Sequence, residues 1–195
     1  NIVVIDNTFA SSKGGISIIN AEDVIVKDNE FTSISSELGT LSVMNSKNIL
    51  IDGNKLINSL GIGLSENSNA IVSQNYVEVG VISIFNEEGT LVDSNEIRNG
   101  SLSLMKAGKA KVTNNVVCNL KGKDHNVAYS ICLSSPSVTG TGNYFGNTTF
   151  YSPDGMFKSI TCDWPKSTDY QSCDKVPAVI PSGPTPPDPT TPTNT

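Results

Sequence analysis

Proline is missing from this 195-residue chain until Pro136. Ten prolines are present, and seven of them lie from Pro177 onward, so a proline-free body is joined to a proline-rich end. Arginine is almost missing as well: of 13 basic residues only Arg98 is one. The formal charge is −6, so the basic surface that displaces counterions from nucleic acid is lacking and a nucleic-acid partner is excluded. Only 16% of residues are charged, which leaves a surface of Asn, Ser and Thr. No apolar run approaches the roughly 18–20 residues that span a bilayer, so no membrane span is expected in this fragment. No signal-like segment is present, and Asn1 already stands inside a repeat. The chain therefore reads as a mature or cut fragment. Its length fits one domain, or one domain plus a tail.

What is present is a repeat. Asparagine recurs at Asn7, Asn29, Asn54, Asn75, Asn95, Asn115 and Asn143, a nearly even series that stretches only at its last step. Two positions after each stands an apolar residue: Phe9, Phe31, Leu56, Val77, Ile97, Val117 and Phe145. Three positions before stands another, except that Gly140 breaks the row in the seventh repeat. A second segment follows six of the asparagines. It reads Ile16-Ser17-Ile18, Leu41-Ser42-Val43, Ile62-Gly63-Leu64, Ile82-Ser83-Ile84, Leu102-Ser103-Leu104 and Tyr129-Ser130-Ile131. Apolar, small, apolar is period two, the mark of a strand with one buried face.

The interval from the end of the second segment to the next asparagine is constant. Ile18 to Asn29, Val43 to Asn54, Leu64 to Asn75, Ile84 to Asn95 and Leu104 to Asn115 are all equal, and Ile131 to Asn143 is longer by one position. The other side of each repeat varies: Val117 to Tyr129 is more than twice as long as Val77 to Ile82. One side is thus fixed in length and the other accepts insertions. Short strands on so even a period, without helical stripes, predict a solenoid whose like segments stack into parallel sheets. Seven turns spaced by about 4.8 Å make a rod of roughly 33 Å. The asparagines have a physical role in such a rod. A buried turn leaves backbone groups unsatisfied. An Asn side chain can bond them and the Asn of the next turn, and it tolerates a left-handed corner. An internal amide ladder is expected.

These segments, from Ile2–Phe9 through Val138–Phe145, resemble the right-handed parallel β-helix of the pectin-lyase-like superfamily over about residues 1–147. The resemblance implies an all-β solenoid of about seven turns. It implies little about function, since the superfamily includes polysaccharide lyases, glycoside hydrolases, phage tailspikes, adhesins and surface proteins.

The lyases of that superfamily use Arg or Lys bases with Ca²⁺ held by clustered Asp. The glycosidases use sets of Asp with a His and a basic residue. In this chain Asp6 and Asp28 stand one before a ladder Asn, while Asp52 and Asp93 stand two before. They do not converge at one level of the rod and read as a solvated acidic edge. The lyase Arg motif is absent around Arg98, and His125 reads as a polar loop residue. No catalytic, cofactor-binding or metal residue is assigned. The row Ser17, Ser42, Gly63, Ser83, Ser103 and Ser130 is expected to face outward, as small residues suited to stacked outer strands.

Cys118, Cys132, Cys162 and Cys173 lack close C-x-x-C pairs and read as disulfides of an extracellular or cell-surface protein. Three pairings are possible. Cys118–Cys132 with Cys162–Cys173 is favoured, because Cys118 and Cys132 each follow an inward residue and are expected to point outward. The second bridge would staple a cap at 148–175, where Phe150, Tyr151, Phe157, Trp164 and Tyr170 concentrate. Asn99-Gly100-Ser101 and Asn147-Thr148-Thr149 are N-glycosylation motifs. The stretch 176–195 holds seven Pro and five Thr, an extended polyproline II tail or linker with O-glycosylation expected at Thr185, Thr190, Thr191 and Thr193. The expected function is structural and non-enzymatic: a rigid segment of a glycosylated filament or surface appendage. Its expected partners are further copies or other filament subunits. A polysaccharide-binding or polysaccharide-cleaving protein and a surface adhesin are the alternatives.

Overall fold

The structure, a computed structural model, describes residues 1–150 apart from 12, 36–38, 119–127, 134–137 and 147. At 128–133, 144–146 and 148–150 it describes the backbone alone. Among the described residues, three parallel sheets of seven strands each are formed. The first sheet takes Ile2–Ile5, Glu22–Lys27, Lys47–Asp52, Ser68–Ser73, Leu91–Asp93, Lys111–Thr113 and Thr139–Thr141. The second takes the short strands after each ladder Asn, from Thr8–Ala10 to Tyr144–Gly146. The third runs from Ile16–Ile19 to Thr148–Phe150. The chain visits the three sheets in turn and then pairs each strand with its equivalent one repeat on. The result is an all-β parallel solenoid. About five turns are described through all three sheets, fewer than the seven expected, and two further turns continue the same sheets with part of their side chains described.

Alternation packs the interior. In Glu22–Lys27, Val24 and Val26 are buried while Ile25 and Lys27 are not. The register then stacks like on like: Val24 on Ile49, Val26 on Ile51, and Ile82 between Ile62 and Leu102. Each such side chain contributes about 1.5–3 kcal/mol on burial. Phe9 and Phe31 stack with ring centroids 4.8 Å apart.

Two expectations are corrected here. The first concerns the corners. The left-handed residue is the one before each ladder Asn rather than the Asn itself. Asp6, Asp28, Gly53, Gln74, Ser94, Asn114 and Gly142 all have φ between 53° and 70°. That residue makes the sharp turn, and the Asn is then left free to place its amide inside. The second concerns the sixth repeat. Ser130 pairs with Leu102, Ile131 with Ser103 and Cys132 with Leu104. Ile131, not Ser130, therefore ends the serine row, and Cys132 takes the register position of inward Leu104. Counted from Cys132, the interval to Asn143 equals that from Leu104 to Asn115, so the fixed spacing holds through this turn as well.

Candidate functional site

The ladder asparagines form a continuous column in the interior. Asn7 Nδ2 donates to Asn29 Oδ1 at 3.2 Å, Asn29 to Asn54 at 2.9 Å, Asn54 to Asn75 at 3.0 Å and Asn75 to Asn95 at 3.0 Å. Asn95 donates to Asn115 at 2.9 Å and Asn115 to Asn143 at 3.0 Å. Every Oδ1 from Asn29 onward also accepts the backbone N–H of the preceding ladder Asn. Each amide additionally reaches main-chain carbonyls. Asn75 Nδ2, for example, donates to Ile51 O and Ser73 O, both at 2.9 Å. Two amide hydrogens facing three acceptors share one bond between two oxygens. Asn54, Asn75, Asn95 and Asn115 are at most 1% exposed, so water cannot replace these bonds.

A second polar stack, unnoticed in the sequence, fills the corner after the third sheet. Ala21 N donates to Ser46 Oγ, Ser46 N to Asn67 Oδ1, and Asn67 Nδ2 to Glu87 Oε1 at 2.6 Å. Thr90 Oγ1 donates to Glu87 Oε2 at 2.7 Å. Glu87 is only 1% exposed. Burial pushes its carboxyl above its ordinary 4.5, while the bonds from Asn67 and Thr90 pull the other way. A signal for this stack existed. Ala21, Ser46, Asn67, Glu87 and Ala107 each stand at the same offset after the second segment's last apolar residue, as Ala21 does after Ile18.

The four acids expected to form a solvated edge divide: Asp6 and Asp28 are exposed, while Asp93 is half-buried and Asp52 buried. Asp52 is buried, where Lys27 Nζ lies 3.1 Å from its Oδ2 and Ser73 Oγ donates to its Oδ1 at 2.7 Å. Its hydrogen bond and charge hold the Lys27 ammonium above its ordinary 10.5. Asp93, two turns on in the same column, accepts from Thr113 Oγ1, Asn114 Nδ2 and Ser94 Oγ. Stacking at strand spacing places donors directly over each carboxylate, which sequence offsets alone did not show. Arg98 is tied to Glu96, with Nη2 2.5 Å from Oε1, and its guanidinium lies 5.5 Å from the Tyr76 ring centre. Among the described residues no group of three His, Cys, Asp or Glu is placed to hold a metal ion.

In the serine row, Ser17 is exposed, but Ser42 and Ser103 are buried at 5% and 6% exposure. Cys118 is fully buried rather than open to solvent, and it is not a free thiol. The side chain of Cys132, and with it the expected Cys118–Cys132 pairing, lies outside the described residues. Asn99 sits at a left-handed corner and is half-buried. His125, Asn147, Cys162, Cys173, the cap aromatics Tyr151, Phe157, Trp164 and Tyr170, and Thr185, Thr190, Thr191 and Thr193 lie outside the described residues.

A family model for a right-handed β-helix region matches residues 1–153. The chain belongs to the right-handed β-helix family. No curated protein and no solved structure matches it. In this β-helix the match runs past Phe150, the last residue of the third sheet's final strand.

Proposed function

We propose that this β-helix is a structural element, a rigid non-enzymatic segment of a glycosylated extracellular filament or cell-surface appendage. The observation that carries the reading is the asparagine column, which runs unbroken from Asn7 to Asn143. A rod cross-linked at every turn resists bending and local opening, which suits a spacer or a fibre. The acids and the arginine support it too. Asp52, Asp93, Glu87 and Arg98 are each engaged in bonds within the rod. Glycans at Asn99, Asn147 and the tail threonines belong to this proposal, as do disulfides joining the four cysteines.

The test is the state of the protein purified from its native source. Intact mass and light scattering are expected to show glycan mass and assemblies larger than one chain. An unglycosylated monomer that cleaves a member of a polysaccharide panel, and loses that cleavage on His125→Ala or Arg98→Ala, would overturn the reading in favour of an enzyme.

A further inference from the structure

The second sheet carries a fully buried residue on its outer face. Strand alternation turns Val117 inward and sets Val116 and Cys118 outward. Val116 is half-buried, as an outer position should be, but Cys118 is 0% exposed. Register places Ala10, Thr32 and Ile57 in the same outer column in the first three turns, and Arg98 directly beneath Cys118. None of these four is buried. Neighbours within the column do not account for the difference. Arg98 is drawn toward Glu96 and the Tyr76 ring, and Gly146, the register partner on the other side, has no side chain. The adjoining corner behaves alike. Asn99 is half-buried there, whereas Ser11, Ser33 and Asn58, also left-handed corner residues after second-sheet strands, are exposed. Chain from outside the column therefore covers this part of the sixth turn.

Cys118 is disulfide-bonded, and the backbone register limits which cysteine can be its partner. Cys118 lies one turn above Arg98, and Cys132 lies one turn above Leu104. The separation of the two cysteines thus follows that of Arg98 and Leu104. Gly100 and Leu104 are four steps apart on one strand, about 13 Å at about 3.3 Å per step. Arg98 stands behind Gly100, beyond the left-handed corner at Asn99. The buried side chains of Ile97, Leu102 and Leu104 fill the space between the two strands and keep that corner open. A disulfide needs Cα atoms within about 7 Å, roughly half the distance available to Cys118 and Cys132.

We propose that Cys118 is bonded to a cysteine of segment 151–175, Cys162 or Cys173, and that this segment is latched across the outer face of the second sheet at the sixth turn. The pairing favoured from sequence gives way because Cys118 and Cys132 are near in sequence but stand on different sheets. Of the three pairings of four cysteines, excluding Cys118–Cys132 leaves two. Either of them ties the rod to the segment twice. Reach is no obstacle: 12 residues lead from Phe150 to Cys162, about 40 Å of extended chain. Each bond forms when two thiols give up two protons and two electrons to a disulfide oxidant, which leaves as a dithiol. A solenoid needs its terminal turns covered, and a latch of this kind holds the cover covalently. The inference rests on the reading above only in taking all four cysteines as bonded.

The experiment uses the intact chain, with free thiols blocked, glycans removed and the protein unfolded without reductant. Cyanogen bromide cuts after Met44, Met105 and Met156, so Cys118 and Cys132 fall in fragment 106–156 and Cys162 and Cys173 in fragment 157–195. The two fragments are expected to run as one species on a denaturing gel and to separate only on reduction. Trypsin then resolves the partners, since the four cysteines fall in peptides 112–121, 124–158, 159–166 and 167–175. Peptide 112–121 is expected to be bonded to 159–166 or to 167–175, and 124–158 to the other. Fragments that separate without reductant overturn the proposal, as does a bond between 112–121 and 124–158 or a blocked, unbonded Cys118. Local bridges of that kind would remove the latch and leave the structural reading standing. Four blocked thiols would remove the disulfides from that reading as well.

Discussion

At the scale of one residue, the value of a ladder asparagine depends on where it stands. Asn75 is 1% exposed and bonds Asn54, Asn95, Ile51 and Ser73. Asn75→Ala strands several buried donors and carbonyls at once. At about 1–3 kcal/mol for each group left unpaired, the expected loss is on the order of 3 kcal/mol or more. Asn75→Asp should cost more still, because it replaces a donor with a carboxylate facing oxygens. Asn7→Ala, at the exposed first turn, should cost under about 1 kcal/mol. Urea unfolding of the three variants checks the order. Glu87 offers a separate test through pH. Its folded pKa is raised, so its contribution is present below its ordinary 4.5 and lost as pH rises through the folded value. Glu87→Gln keeps an oxygen for Asn67 and removes the buried charge. The variant should be more stable than the parent at about pH 7, with the advantage shrinking toward about pH 4. Melting curves at the two pH values decide it.

At the scale of the element, the two sides of each turn should respond differently to insertion. One glycine added after Asn69 shifts Ala70 and Val72 to the outer face and moves Asn75 out of its column, because strand alternation has period two. A loss above about 4 kcal/mol is expected. The same residue added after exposed Val79 lengthens a corner and should cost under about 1 kcal/mol. Thermal unfolding of both insertions checks the contrast. Most of this architecture was legible in the sequence, because period-two segments and a constant interval before each ladder Asn state both the strand and its register. The sixth repeat was misread because Tyr129-Ser130-Ile131 imitates the usual apolar–small–apolar pattern, while the longer interval it implies, from Ile131 to Asn143, was the warning. The Glu87 stack was hidden because Ala, Ser, Asn and Glu share a position but no chemistry.

At the scale of the molecule, the proline distribution has a mechanical meaning. Proline lacks the N–H that each stacked strand donates to its neighbour, so a ladder body excludes it. Each turn contacts mainly the turns beside it, and stability is a sum of turn and interface terms. The asparagine column makes those interfaces alike along the rod. The most direct test of that claim is hydrogen exchange of the asparagine side-chain amides, followed by NMR. The Nδ2 protons of Asn54, Asn75, Asn95 and Asn115 should exchange only through cooperative unfolding, orders of magnitude more slowly than those of exposed Asn45 and Asn69. Equal rates for the two groups would contradict the ladder, and with it the account of what holds the rod together.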